Sequence, residues 1–471
     1  MRTRLSSIAL SLVPVALIAC GGASMPSSSP SESPAGADSG GAPAAEKMSS
    51  ADSEPMMAAP MAPMAAPSPG GAAPGAVVAG APPPPPVART AGESVAVQPS
   101  PGVKAGEWDD NANYREFQKY LASSAHLGFH RADIRDRQFL VVTDSAGKGV
   151  PRCPVQVSDS AGKKTTLMTM SSGRAILFPH AEGLAMQGLT AKVSCEGTTA
   201  SASIPGDKPD GVVELKLNKA RKLPGKPTID LAFILDTTGS MSEEIEATKM
   251  TVQKVAAGLG GGNVQFRIGM VTFKDRTDGK VTEVFPMTSD IPRFGRDVQN
   301  IGAAGGGDVP ESVNEGVHVA MTKLAWGQDA VAKLAFLIGD APPHLDYQQD
   351  ADYAADMRDA AHRGIKLFTI AASGMDDLGQ VVWRQMAQYT GATNMFVLRG
   401  GAGAQSTGGG DPKARCGGTQ TNFTSGSLDI LISRKVEGEM KALDRNPLKI
   451  AGLGLDENAK PCKDRMAVAG D

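Results

Sequence analysis

The chain has 471 residues, of which 41% are apolar and only 4% aromatic, and 47 Lys and Arg face 50 Asp and Glu for a formal net charge of −3 at pH 7. That balance gives no basic excess for nucleic acid and no acidic block that would read as a solvating tail. The scarcity of aromatics argues against base-stacking or sugar-stacking platforms, and the length leads to an expectation of about two or three domains.

Residues 1–19 carry Arg2 and Arg4, then an apolar stretch from Ile8 to Ile18 interrupted by Pro14. The stretch is too short to span a bilayer as a helix and reads as a secretory signal. It ends Leu17-Ile18-Ala19-Cys20, which resembles the lipobox of bacterial lipoproteins. The resemblance implies cleavage before Cys20 and a diacylglycerol thioether on its sulfur, and so a lipid-anchored protein of the bacterial cell envelope. Gly21 stands where many inner-membrane lipoproteins have aspartate, which points to the outer membrane. A plain signal peptide with an incidental cysteine is the alternative. Residues 20–105 are dominated by Ala, Pro, Gly, Ser and Met and include the run Pro82 to Pro86. With too few large apolar side chains to offset the entropy of ordering, this segment is expected to be a disordered tether. As a flexible coil it would reach about 50 Å, more where proline stiffens it.

A folded region is expected over 106–220, beginning near Trp108. Asn111 or Asn113 is placed to cap a short helix in which Tyr114, Phe117 and Leu121 recur at helical spacing. His126 and His130 are four apart, but no third ligand stands nearby and no metal is assigned there. From Arg137 to Leu217 short β-branched runs alternate with turns such as Asp144-Ser145-Ala146-Gly147 and Asp159-Ser160-Ala161-Gly162. Strands at that spacing predict a small all-β sandwich. The turn pattern loosely resembles carboxypeptidase-regulatory or transthyretin-like domains, and the region reads as a spacer or interaction module. Beyond Cys20, four cysteines remain: Cys153 and Cys195 in the sandwich, Cys416 and Cys462 near the C-terminus. Pairing within each region is the simplest connectivity, in an oxidising compartment.

Residues 228–400 read as an α/β domain with a doubly wound, mostly parallel sheet. Ile229 to Leu235 is a short apolar run preceded by Gly225 and Pro227, which favours a strand buried on both faces. Asp236, Thr238 and Ser240 follow it, offering a carboxylate and two hydroxyls at alternate positions of a turn. A second apolar strand, Lys333 to Gly339, also ends on a carboxylate, Asp340. Between them lies the glycine loop Gly305 to Glu311, with Asp308 and Glu311, opening a helix that carries Val313, Val317 and Ala320. A helix start favours carboxylates, and in open α/β sheets ligands gather outside the carboxyl ends of the strands. By pattern alone the Thr and Ser could instead serve only to cap the next helix. Further helices are expected over Ser242 to Leu259, Asp350 to Arg363 and Asp377 to Tyr389, and further strands at Val264 to Phe273, Thr282 to Phe285 and Ile365 to Ala371. Met395 to Leu398 is expected to close the sheet. Residues 401–471 read as a Gly-rich loop, a helix over Leu428 to Leu443 and a tail.

These ordered motifs resemble the von Willebrand factor type A family with its metal-ion-dependent adhesion site. Asp236, Thr238 and Ser240 fall on the Asp-x-Ser/Thr-x-Ser motif and Asp340 on the distal aspartate of that family. Asp308-Val309-Pro310-Glu311 looks like the Asp-x-Pro-Glu loop found in the A-type domains of integrin β chains, which implies Glu311, with Asp308 as the alternative, as a further ligand. The resemblance implies a divalent cation, Mg²⁺ first with Mn²⁺ or Ca²⁺ possible, bound through oxygens. It implies a protein partner that completes the coordination with an Asp or Glu carboxylate, and hence an adhesion or complex-assembly module rather than an enzyme. A metal-assisted hydrolase using His344 as base, or an assembly factor for an ATPase-linked complex, are the alternatives.

Overall fold

The computed structural model describes residues 104–206, 208–258, 263–307, 309–372, 374–397 and 424–453. Cys20, Asp308, Cys416, Cys462, the signal and most of the tether segment lie outside the described residues.

The predicted strands at the heart of the α/β region form as expected, because nearly every residue in them is buried. Thr228–Asp236 (β9) is buried along its whole length. It pairs in parallel with Gln265–Phe273 (β10) on one side and Ala332–Gly339 (β12) on the other. Ile365–Ala371 (β13) and Asn394–Val397 (β14) continue the parallel series. Thr282–Thr288 (β11) adds antiparallel to β10 at the edge.

The sheet does not close at β14. Lys104–Trp108 (β1) pairs antiparallel with β14, and Thr424–Ser427 (β15) pairs with β1. Among the described residues the sheet has 8 strands in the order β11-β10-β9-β12-β13-β14-β1-β15. The 106–220 region drawn from strand spacing therefore begins inside a strand of the α/β sheet.

Alternation along the central strands divides the core into two faces. Ala232 and Ile234 of β9, with Ala335 and Leu337 of β12, meet Val313–Lys323 (α4), Tyr353–His362 (α5) and Asp377–Tyr389 (α6). Leu231, Phe233 and Leu235 face the other way, toward Ile245–Gly258 (α2), Ile291–Gln299 (α3) and Leu428–Ala442 (α7). A sheet covered on both faces is why its strands read as continuous apolar runs. The helix α3 has no counterpart in the expectations above; Asp290 caps it by accepting from Arg293 N, and Phe294 and Val298 bury its inner face.

The small sandwich is present as two sheets. One has Arg174–Leu177 (β5), Gln138–Thr143 (β2) and Gly211–Lys216 (β8); the other has Lys164–Met168 (β4), Pro154–Ser158 (β3), Thr190–Cys195 (β6) and Thr198–Ser203 (β7). Cys153 and Cys195 form a disulfide with Cα atoms 5.5 Å apart. The sandwich packs directly against the helices of the α/β region. Phe139, Val141, Ile176 and Phe178 turn away from its own core and join the one that holds α5 and α6. Glu182 accepts hydrogen bonds from His362 Nε2 at 3.0 Å and Tyr389 Oη at 3.1 Å, which ties it to both helices.

The helix Tyr114–Ser123 (α1) buries Tyr114, Phe117 and Leu121 as expected. Neither asparagine caps it with a side chain; Asp109 Oδ1 instead accepts from the amides of Asn111 and Ala112. Beside it the guanidinium of Arg384 (α6) binds Asp110 in two places, Nε to Oδ2 at 2.9 Å and Nη2 to Oδ1 at 2.6 Å, with both side chains almost fully buried. That guanidinium lies 4.6 Å from the Trp108 ring centre and 4.1 Å from that of Tyr120.

Candidate metal centre

The chain runs from β9 to β10 on one side and returns to β12 on the other, so β9 is the point where the winding reverses. A crevice opens there outside the carboxyl ends of the strands. Asp236 is the last residue of β9, and Asp340 directly follows β12.

The turn after β9 holds its oxygens toward one another. Asp236 Oδ1 accepts from the Thr238 amide at 2.9 Å and from Thr238 Oγ1 at 2.7 Å. Thr238 Oγ1 lies 3.0 Å from Ser240 Oγ, which donates to Asp340 Oδ1 at 3.1 Å. Four of the expected ligands thus form one continuous chain of oxygens. Asp236 and Thr238 are fully buried, whereas Ser240 is exposed at the mouth.

Glu311 approaches from the third loop. Its amide donates to Pro342 O at 3.0 Å and its carbonyl accepts from His344 N at 3.1 Å, a short parallel bridge to the segment after Asp340. Gly306 separates Glu311 from the first turn: a Cβ there would stand 2.9 Å from Thr238 Cβ and 3.0 Å from Glu311 Oε1. With φ near +72° as well, this position admits only glycine without strain. Asp278 fixes the loop by accepting from Gly306 N at 2.9 Å, and Gly305 O accepts from Gly239 N at 2.8 Å.

Two carboxylate oxygens in this crevice are buried with no hydrogen-bond partner, Asp236 Oδ2 and Glu311 Oε2. Burial, then the neighbouring charge of Asp340, pushes the Asp236 carboxyl up to about 7. Burial, then the charges of Asp236, Asp275, Asp340 and Asp278, pushes Glu311 up to about 8. Asp340 is raised too, chiefly by burial. Orphaned, mutually repelling oxygen donors fit a hard cation, which would supply the missing partner and cancel the repulsion. Among the described residues no three His, Cys, Asp or Glu side chains converge tightly enough to hold a metal by themselves. A cation here would therefore rest on a mixed set of carboxylate and hydroxyl oxygens, with water completing it.

His344 and Asp275 form a neighbouring cluster. His344 is buried, stacked on Tyr347, with Nδ1 2.8 Å from Asp346 Oδ1 and Nε2 3.4 Å from Asp275 Oδ1. Asp275 also accepts from Thr277 N at 3.2 Å and from Ser312 Oγ at 3.3 Å, the hydroxyl next to Glu311. The signal for Asp275 was present in the sequence, since it lies just past the end of β10, as Asp340 lies just past β12.

A doubly covered parallel sheet with this oxygen-lined turn at its switch point defines a doubly wound α/β domain. Residues 230–370 match the family described as von Willebrand factor A domain. This domain is preceded in the chain by the separate β-sheet region of the sandwich. The mouse von Willebrand factor A domain-containing protein 7 is 36% identical over 104 residues, covering 22% of this chain and 11% of its own. The Dictyostelium discoideum alpha-protein kinase vwkA is 30% identical over 128 residues, covering 26% of this chain and 20% of its own. The chain thus spans only a small part of the curated relatives it matches. Among solved structures, the mussel byssus proximal thread matrix protein 1, described with a zinc-occupied MIDAS motif, is 14% identical with a TM-score of 0.28, covering 37% of this chain and 47% of that one.

Proposed function

We propose that the domain is a metal-ion-dependent protein-binding module. Asp236, Thr238, Ser240, Asp340 and Glu311 would hold a divalent cation, with Asp308 as the alternative to Glu311 in the third loop. The observation that carries the reading is the pair of orphaned, buried carboxylate oxygens, Asp236 Oδ2 and Glu311 Oε2, in a crevice that opens to solvent at Ser240. Mg²⁺ is the first choice, with Mn²⁺ or Ca²⁺ as the others, because hard cations take oxygen ligands and Mg²⁺ keeps exchangeable waters. The bound ion would attract a partner's Asp or Glu side chain at the open position. Val309, in the loop that carries Glu311, is 63% exposed, the most exposed large apolar side chain among the described residues. It offers such a partner an apolar contact beside the ion.

The hydrolytic alternative would use His344 as base. Its ring nitrogens face Asp275 and Asp346, an arrangement that favours a supporting role for the third loop. The lipobox-like segment ending at Cys20 supports display on the cell envelope, outer membrane by preference, in adhesion or complex assembly. Palmitate labelling lost in Cys20→Ser tests that part separately.

Isothermal titration with Mg²⁺ and Mn²⁺ tests the site. Asp236→Ala and Asp340→Ala should abolish binding with the circular dichroism spectrum unchanged. Capture of a partner from envelope extract should then require the ion and disappear with chelator, while His344→Ala captures normally. No binding at millimolar metal would overturn the metal reading, and capture indifferent to chelator would overturn the metal-dependent partner.

A further inference from the structure

A cleft of about 870 Å³ lies far from the metal centre, between the sandwich, α7 and the turn that follows it. Lys366, Phe368 and Thr393 line it at the amino ends of β13 and β14, whereas Asp236 and Asp340 stand at the carboxyl ends of their parallel neighbours. Its volume falls in the range of small-molecule sites, roughly 300–1,000 Å³.

The lining divides by chemistry. Phe139, Ile176, Phe368 and Leu431 supply an apolar wall. The acids on the lining are matched: Glu107 with Lys435, Glu439 with Lys366 and Glu437 with Lys441. Asp109 is occupied by the amides at the start of α1.

Three other cations on the lining, Arg174, Arg434 and Lys449, have no ion-pair partner among the described residues. Arg174 Nε donates to Pro447 O at 2.6 Å and Nη2 donates to the carbonyls of Asn446 and Lys449, but Nη1 has no partner among the described residues. Burial pulls the Arg174 pKa down to about 10, partly offset by the charge of Glu439. The side chains of Arg434 and Lys449 line the same cleft, are exposed, and have no ion-pair partner among the described residues. Thr393 Oγ1, on a side chain 8% exposed, is a buried hydroxyl without a partner.

We propose that this cleft binds an amphiphilic anion, a carboxylate or phosphate head group carried on an apolar body. Arg174, Arg434 and Lys449 would meet the head group, and the aromatic and aliphatic wall would cover the body. A guanidinium held by backbone carbonyls is already oriented, and a charge-assisted hydrogen bond to an anion is stronger than one to a neutral acceptor. No part of this depends on the metal centre.

Calorimetric titration of the full chain with octanoate, octyl phosphate, octanol and inorganic phosphate tests it. The two anionic amphiphiles should bind saturably, and octanol and free phosphate at least about tenfold more weakly. The stronger of the two anions identifies the head group. Arg434→Glu with Lys449→Glu should lower that affinity by about tenfold or more without moving the melting temperature. If charge reversal unfolds the protein, Arg434→Gln with Lys449→Gln gives the same reading. Octanol binding as tightly as octanoate, affinity untouched by the charge variants, or no saturable heat from any probe would each overturn the proposal.

Discussion

The raised carboxyls at the carboxyl ends of β9 and α4's leading loop make the protein's stability depend on pH in a direction opposite to that of most acidic residues. An aspartate with a folded value of about 7, against about 3.9 unfolded, holds its proton more tightly in the native state. Its contribution is fully present below the unfolded value and is lost as pH rises through about 7. At about 1.4 kcal/mol for each pH unit between the two values, Asp236 alone costs the metal-free protein about 4 kcal/mol by pH 8. Glu311, raised to about 8 in the same crevice, loses its share over the same interval and slightly beyond. A cation reverses the sign, because it binds the deprotonated form and releases protons. Saturating metal at about a hundred times its dissociation constant adds about 2.7 kcal/mol. At ~2–4 °C per kcal/mol that is a rise of about 5–10 °C in melting temperature. Thermal scans with Mg²⁺ and with EDTA should show a small difference at pH 5.5 that widens steadily to pH 8. An equal difference at both pH values, or an EDTA curve that gains stability from pH 5.5 to 8, would refute the reasoning.

Two further predictions concern the scaffold. Arg384→Ala strands the Asp110 carboxylate, which is 2% exposed, and should cost about 3–5 kcal/mol in urea unfolding; Arg384→Met with Asp110→Leu should recover most of it. Removing the Cys153–Cys195 bridge with serine at both positions should cost about 2–4 kcal/mol. Peptide-resolved hydrogen exchange should place the loss in the sandwich strands, and equal loosening of β9 and β12 would mean that the sandwich does not unfold on its own.

The legible parts of the chain were those where one local rule decided the outcome. β9 and β12 are buried on both faces, so their apolar runs announced parallel central strands, and the carboxylates at their ends announced the crevice. Lys104–Trp108 and Thr424–Ser427 carry no such run. Lys104–Trp108 becomes a strand by pairing with β14, and Thr424–Ser427 by pairing with Lys104–Trp108 in turn, a long-range circumstance that periodicity cannot register. Thr198–Ser203 carries no apolar run for a similar reason: Thr198, Ala200 and Ala202 face the sandwich core with little apolar bulk, and Thr199, Ser201 and Ser203 are exposed. The hydrolase alternative rests on His344 following Asp340 closely in the chain. The Pro342-Pro343 segment instead pairs with Glu311, which turns the imidazole between Asp275 and Asp346.

The placement of β1 has a mechanical consequence. The chain enters the large sheet at Lys104 before it builds the sandwich, and β1 is held between β14 and β15 by antiparallel ladders on both sides. Tension applied upstream of residue 104 therefore reaches the large sheet directly and never crosses the sandwich. The Arg384 grip on Asp110, just beyond β1, acts as a second fastening behind the first. A pull between the N-terminal segment and a partner held at Asp236 would run across the sheet from β1 to β9, leaving the sandwich slack beside the line of force.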